Sequence, residues 1–193
     1  MSFILEIYQE QTTNPESLKF LFNKMLLPYE IIECKKKEDC EDSPLAKSVF
    51  EKFNWVSNVF ISNNFITITK NISTDWYEMM PEMKHFLKMY VSTSLEVVTK
   101  SFLESKIAAR QEVENPEDID TKIKSLLEKY VKPAVEIDGG HIAFKSFENG
   151  VVTLIMQGSC SGCPSSNITL KSGIEGLLKR MVPEVVEVVA DAG

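Results

Sequence analysis

The sequence predicts an α+β protein made of two small α+β domains, and three observations predict it. Strand-type and helix-type runs alternate along all 193 residues, with no internal repeat and no low-complexity tract. A stretch thin in apolar positions, residues 93–116, divides the chain. Beyond it the order reads helix, strand, strand, helix, strand, a small sandwich. The expected organisation is therefore a first domain over 1–92, a linker of helical character over 93–116 and a second domain over 117–193.

In the first half, residues 3–9 and 17–22 read as strands joined by the turn-forming Thr13-Asn14-Pro15-Glu16. Residues 30–43 are mostly charged and read as a loop or an edge segment. Ser43-Pro44 then opens a short helix through Phe53, with Ser43 as its N-cap and Pro44 in its first turn. Two strands, 56–61 and 65–70, flank Ser62-Asn63-Asn64 as a hairpin. A helix follows over 75–91, and Pro81 is expected either to kink it or to mark its true start. Residues 94–112 read as a solvated helical linker.

The second half is clearer. Asn115-Pro116 is expected to cap a helix in which Ile119, Ile123, Leu126, Leu127 and Tyr130 recur at helical spacing. Acids in its first turn and lysines in its last suit the helix dipole, and Pro133 is expected to end it. Asp138-Gly139-Gly140 makes a turn. Strands 141–147 and 151–157 flank Asn149-Gly150, a strong hairpin signal. A helix with Ile168, Ile174, Leu177, Leu178 and Met181 on one face runs to Pro183, and 185–189 form a last strand.

Composition excludes several classes. The chain is 44% hydrophobic and 25% charged, as in a globular protein, and no apolar run approaches the ~20 residues that cross a bilayer. Net charge is −7, shared as −4 over 1–116 (13 basic, 17 acidic) and −3 over 117–193 (8 basic, 11 acidic). Neither part is basic, so no nucleic-acid partner is expected, and no membrane. The N-terminus lacks a basic leader and a long apolar core, so the expectation is a cytoplasmic protein, with a processed organellar form as the alternative. Four cysteines do not make a disulfide scaffold at this length.

The most informative segment is Gly158-Ser159-Cys160-Ser161-Gly162-Cys163-Pro164-Ser165-Ser166, between a strand pattern and a helix pattern. Pro164 follows Cys163, which makes Cys163 a candidate N-cap. Unpaired N–H groups and the positive end of the helix dipole would then favour thiolate, the form that attacks and ligates. The glycines admit close backbone approach. The small serines are expected to keep the rim open. A tetrahedral zinc site or an all-cysteine 4Fe-4S cluster needs four thiolates, and this turn supplies two. The second pair is either Cys34 with Cys40 or the same turn of a second copy. Spacing alone leaves ligation and thiol–disulfide chemistry both open.

Asp138-Gly139-Gly140, the Asn149-Gly150 hairpin, the cysteine segment and Leu170-Lys171-Ser172-Gly173-Ile174-Glu175 occur in an order that resembles the NifU C-terminal domain. Thr13-Asn14-Pro15-Glu16-Ser17-Leu18-Lys19-Phe20, Ser43-Pro44-Leu45-Ala46 and Asp75-Trp76 resemble the Nfu N-terminal domain. The resemblance implies a non-enzymatic iron–sulfur cluster carrier of the Nfu family, its second domain an α-β-β-α-β sandwich. It implies that Cys160 and Cys163 are the metal ligands, that a labile 4Fe-4S cluster (2Fe-2S as the alternative) is held in a homodimer, and that apo iron–sulfur proteins receive it after upstream assembly proteins supply it. A thiol–disulfide oxidoreductase and a dimer-bridging structural zinc module remain the alternatives.

Other residues carry plainer expectations. Cys34 and Cys40 lie outside the family pattern and read as exposed, inert thiols, although the lysines between them favour reactivity. His141 reads as a strand-edge or turn residue and His85 as a helix-face residue. Met79, Met80, Met83 and Met89 read as core filler. No catalytic triad, P-loop or zinc-protease motif is present.

Overall fold

The computed structural model describes residues 4–71, 75–93, 95–109, 118–161 and 164–191, without the side chains of 108, 109 and 164–169. The chain divides into two compact units, Met1–Gln111 and Glu112–Gly193.

The first unit is a five-stranded antiparallel sheet with helices. Its strands are β1 (Ile7–Gln11), β2 (Ser17–Phe22), β3 (Leu27–Cys34), β4 (Val56–Asn63) and β5 (Phe65–Lys70), in the order β1-β2-β5-β4-β3. Alternate residues Leu18, Phe20 and Phe22 of β2, Val59 and Ile61 of β4, and Ile66 and Ile68 of β5 enter one core. Helix α1 (Pro44–Lys52) adds Leu45, Ala46 and Val49 to it, and α2 (Trp76–Ser92) adds Met83, Leu87 and Val91. Each such side chain contributes about 1.5–3 kcal/mol through burial.

The caps follow the sequence. The Ser43 hydroxyl accepts the Ala46 N–H at 3.2 Å, and the Asp75 carboxylate accepts the Tyr77 N–H at 3.0 Å. Helix α2 therefore starts at Trp76 and passes through Pro81, which is not its start.

Three expectations change. The first strand runs over Ile7–Gln11 rather than 3–9, set by its pairing with β2 from Ile7↔Phe22 to Gln11↔Leu18. Of the two readings of the charged stretch, loop or edge segment, the edge one holds over its first part, changed only in being a regular strand, β3, whose partner among the described residues is β4. An edge tolerates Glu30 and Glu33 because one side of it faces water, while Ile32 and Cys34 point into the core. The segment read as a solvated linker joins the first core: α3 (Lys100–Ala109) buries Phe102, and Val98 is buried just before it. Its apolar residues are few but clustered. The segment is fastened by Ser43 Oγ donating to the Val97 carbonyl at 2.7 Å and by the Thr99 N–H donating to the Asp42 carbonyl at 2.9 Å.

The second unit opens with α4 (Ile119–Leu126), a π turn (Leu127–Val131) and α5 (Lys132–Ile137) as one continuous helical run. The expected stop at Pro133 does not occur. Proline removes an N–H and crowds the carbonyl four residues back, and a wider π turn directly before it relieves the crowding. Steps of four residues, Ile123, Leu127, Val131, Val135, face the core, so Tyr130 is turned outward. Asp118 occupies the N-cap position, and Asn115 and Pro116 lie outside the described residues.

The hairpin β6 (Gly140–Glu148) and β7 (Val151–Gly158) closes at Asn149-Gly150, both with positive φ (52° and 82°). Helix α6 (Pro164–Met181) then returns the chain to β8 (Glu187–Asp191), which pairs parallel to β7. The last strand starts later than the expected 185–189 because Val185 is used in a buried turn, its N–H donating to the Val182 carbonyl. On α6, Ile174 and Leu178 are buried and Met181 is exposed. The Ile168 side chain lies outside the described residues.

Candidate ligand turn

The cysteine segment sits where the sequence places it, between the end of β7 at Gly158 and the start of α6 at Pro164. Cys160 is described. Cys163 and its N-cap role lie outside the described residues.

Two glycine-bearing ends meet here. Helix α5 ends at Ile137, with Asp138 as its C-cap, and Gly139 follows at φ 77°, the left-handed conformation that commonly closes a helix. The Gly139 N–H donates to the Glu136 carbonyl at 3.0 Å. Strand β6 then begins with Gly140, which pairs directly with Gly158 at the end of β7. The cysteine turn therefore folds over Gly139 and Gly140: the Ser159 N–H donates to the Gly139 carbonyl at 3.3 Å, and the Ser161 N–H to the Gly158 carbonyl at 3.1 Å.

The Cys160 thiol occupies space that a side chain at 140 would fill. A Cβ there would lie 2.6 Å from Cys160 Sγ, 3.1 Å from the Gln157 carbonyl oxygen and 3.2 Å from Ser159 Oγ. Cys160 is 1% exposed and packs with Ile142, Met156 and Ile174 in the second core. Ser159, expected at an open rim, is instead fully buried. Its hydroxyl donates to the Asp138 carbonyl at 2.6 Å and lies 3.3 Å from Asp138 Oδ2. Asp138-Gly139-Gly140 is thus more than a turn before a strand: it is the floor under the cysteine. Reading along the chain did not reveal Ser159 as a structural partner, because its bond spans 21 residues. The facing glycines at 140 and 158 were the available signal.

Beyond the turn, His141 is mostly buried beside a cavity of about 410 Å³ lined by Lys124, Glu128 and Phe144. Burial, then the Lys132 charge, lowers its pKa to about 4, against a smaller opposing effect of Glu128. It is a neutral strand residue, as expected. His85 is exposed on α2, where Met83 is core and Met89 is exposed.

Cys34 and Cys40 differ from expectation. Both are buried, at 0% and 1% exposure. Cys34 Sγ donates to the Asp39 carbonyl oxygen at 3.5 Å, and Cys40 Sγ donates to the Lys36 carbonyl oxygen at 3.3 Å. Burial raises the pKa of each, so they are held as thiols, and the neighbouring lysines do not activate them. Their alternation with surface residues on an edge strand and a 3-10 turn takes them inward. Among the described residues no three His, Cys, Asp or Glu side chains form a metal-holding group. Nor is any helix among them long and apolar enough to cross a membrane.

Comparison with known proteins finds matches to both halves of the chain. The family profile described as NifU-like domain matches residues 123–189, and the one described as scaffold protein Nfu/NifU N terminal matches 7–94. The chain is 36% identical over 188 residues to the NFU1 iron-sulfur cluster scaffold homolog, mitochondrial, of Homo sapiens, covering 96% of this chain and 72% of that protein. It is 34% identical to a NifU-like protein of Schizosaccharomyces pombe (95% and 71% covered). It is 38% identical to NifU-like protein 4, mitochondrial, of Arabidopsis thaliana (93% and 63% covered).

Proposed function

Since the chain belongs to the Nfu/NifU scaffold family, we propose that it is a non-enzymatic iron–sulfur cluster carrier that binds a labile 4Fe-4S cluster through Cys160 and Cys163 of each of two copies and passes it to apo-proteins. The observation that carries this reading is the Cys160 thiol, seated over Gly140 at a strand-to-helix junction with the next cysteine three residues on. The cluster is cargo. Cys160 is 1% exposed, so it turns outward to bind, and two ligands per chain let an acceptor's thiolates replace them stepwise. Binding requires thiolate, so loading releases protons.

The second pair of ligands is assigned to a second copy. Cys34 and Cys40 are core thiols bonded to their own backbone, which supports leaving them out of the ligand set. A reducing compartment suits the free thiols at 34, 40 and 160, whether the cytoplasm or an organelle such as the one named for the human and Arabidopsis relatives. The first unit is assigned to docking of upstream assembly proteins or acceptors.

The test is anaerobic reconstitution with iron and sulfide, followed by absorption and mass in solution. A broad band near ~400 nm with about four irons per two chains is expected. A colourless monomer whose cysteines cycle with a dithiol overturns the proposal, and so does zinc that resists exchange.

A further inference from the structure

Ser159 does something that its place next to a ligand does not by itself require. Serine is seldom fully buried, yet Ser159 is, and its hydroxyl spends its one proton on the Asp138 carbonyl at 2.6 Å. Its backbone N–H is spent on the Gly139 carbonyl. Two bonds from one residue therefore tie the cysteine turn to the end of α5. The hydroxyl oxygen lies 3.9 Å from Cys160 Sγ, and the gap left by Gly140 lies against the same sulfur. The peptide of Cys160 is thus clamped on one side by Ser159, with its sulfur lying over Gly140.

We propose that Ser159 is a positioning residue, which through the Asp138 carbonyl holds the turn closed over the Cys160 thiol and so sets how readily that thiol is released to take up a cluster. This rests on the reading of Cys160 as a cluster ligand. Removing the hydroxyl leaves the Asp138 carbonyl without that donor and frees the turn to swing Cys160 outward. A lost hydrogen bond of ordinary strength corresponds to about a tenfold change in the opening equilibrium.

The experiment has an arm that needs no cluster. In cluster-free full-length protein carrying Cys163→Ser, the rate of Cys160 alkylation by iodoacetamide is read by mass spectrometry of its peptide. Cys160 of this parent is expected to react far more slowly than in urea-unfolded chain. Ser159→Ala is expected to raise the folded-state rate about tenfold, and Ser159→Thr, which keeps the hydroxyl, to return it toward the parent. In the second arm Cys163 is present. During reconstitution the Ser159→Ala protein is expected to gain its ~400 nm band about tenfold faster than wild type. The proposal is overturned if folded parent alkylates as fast as unfolded chain. It is also overturned if the alanine variant matches its reference in either arm, or if alanine and threonine variants of equal thermal midpoint alkylate alike. Failure of the wild-type protein to take up any cluster overturns the carrier reading instead, and the alkylation arm then still stands on its own.

Discussion

A Cβ built on Gly140 would lie 2.6 Å from the sulfur of Cys160. Non-bonded carbon and sulfur do not approach that closely, so residue 140 and the thiol direction are decided together. Cysteine has a short side chain with one rotatable bond, and the added Cβ is itself confined by the Gln157 carbonyl oxygen at 3.1 Å. Gly140→Ala should therefore push the thiol from its pose. We expect the variant to fold with a loss of about 1–3 kcal/mol, the usual cost of overpacking. It should also make Cys160 more accessible to iodoacetamide than in wild type. Thermal unfolding and the alkylation rate of the Cys160 peptide, measured on the same sample, separate the two effects.

Cys34 and Cys40 should be dispensable for the cluster. The Cys34→Ala/Cys40→Ala variant is expected to bind as much iron as wild type, with the same mass in solution. An iron content that drops to background would remove the two-copy arrangement and restore these thiols as ligands.

The same pair sets an alkaline limit. Burial raises both thiol pKa values, so the folded first unit favours the protonated form more than the unfolded chain does. That stabilisation is complete below the unfolded thiol value of about 8.5 and is lost as pH climbs above it. The urea midpoint of wild type should fall between pH 8 and 10, and the fall should be smaller in the double alanine variant.

His141 sets an acid limit in the second unit. Its pKa is lowered to about 4 by burial first and by the Lys132 charge second. Between the ordinary value of about 6.5 and this one the unfolded state binds more protons, so stability is complete above that window and falls through it, by about 3 kcal/mol. Urea midpoints at pH 7 and pH 4.5 should differ in wild type, and His141→Gln should narrow the difference.

Ser43 should matter twice. It caps α1 and also holds the Val97 carbonyl through its hydroxyl. Ser43→Ala is expected to cost about 1–2 kcal/mol and to loosen the 95–109 segment. Hydrogen exchange at Phe102 and Leu103 is the measurement, since loss of a cap alone would leave them protected.

Much of this was readable along the chain because the signals are local. Ser43-Pro44 opened a helix, Asn149-Gly150 closed a hairpin, and the cysteine segment fell between a strand and a helix. Each depends on residues a few positions apart, acting through caps and turn dihedrals. Pro133 misled because a π turn upstream, which no residue type announces, absorbs its clash. Charge misled at Glu33-Cys34, where alternation on an edge strand outweighs the mean polarity of the stretch.

By itself the sequence determined the two-part α+β plan and the three-residue spacing of Cys160 and Cys163, since spacing and periodicity are properties of the chain alone. Only the tertiary structure decided that Cys34 and Cys40 lie in a core, that 95–109 belongs with the first sheet, and that Ser159 and Gly140 shape the seat of Cys160. Those facts depend on which distant surfaces meet. Burial, and the hydrogen bonds and pKa values that follow from it, exists only once they do.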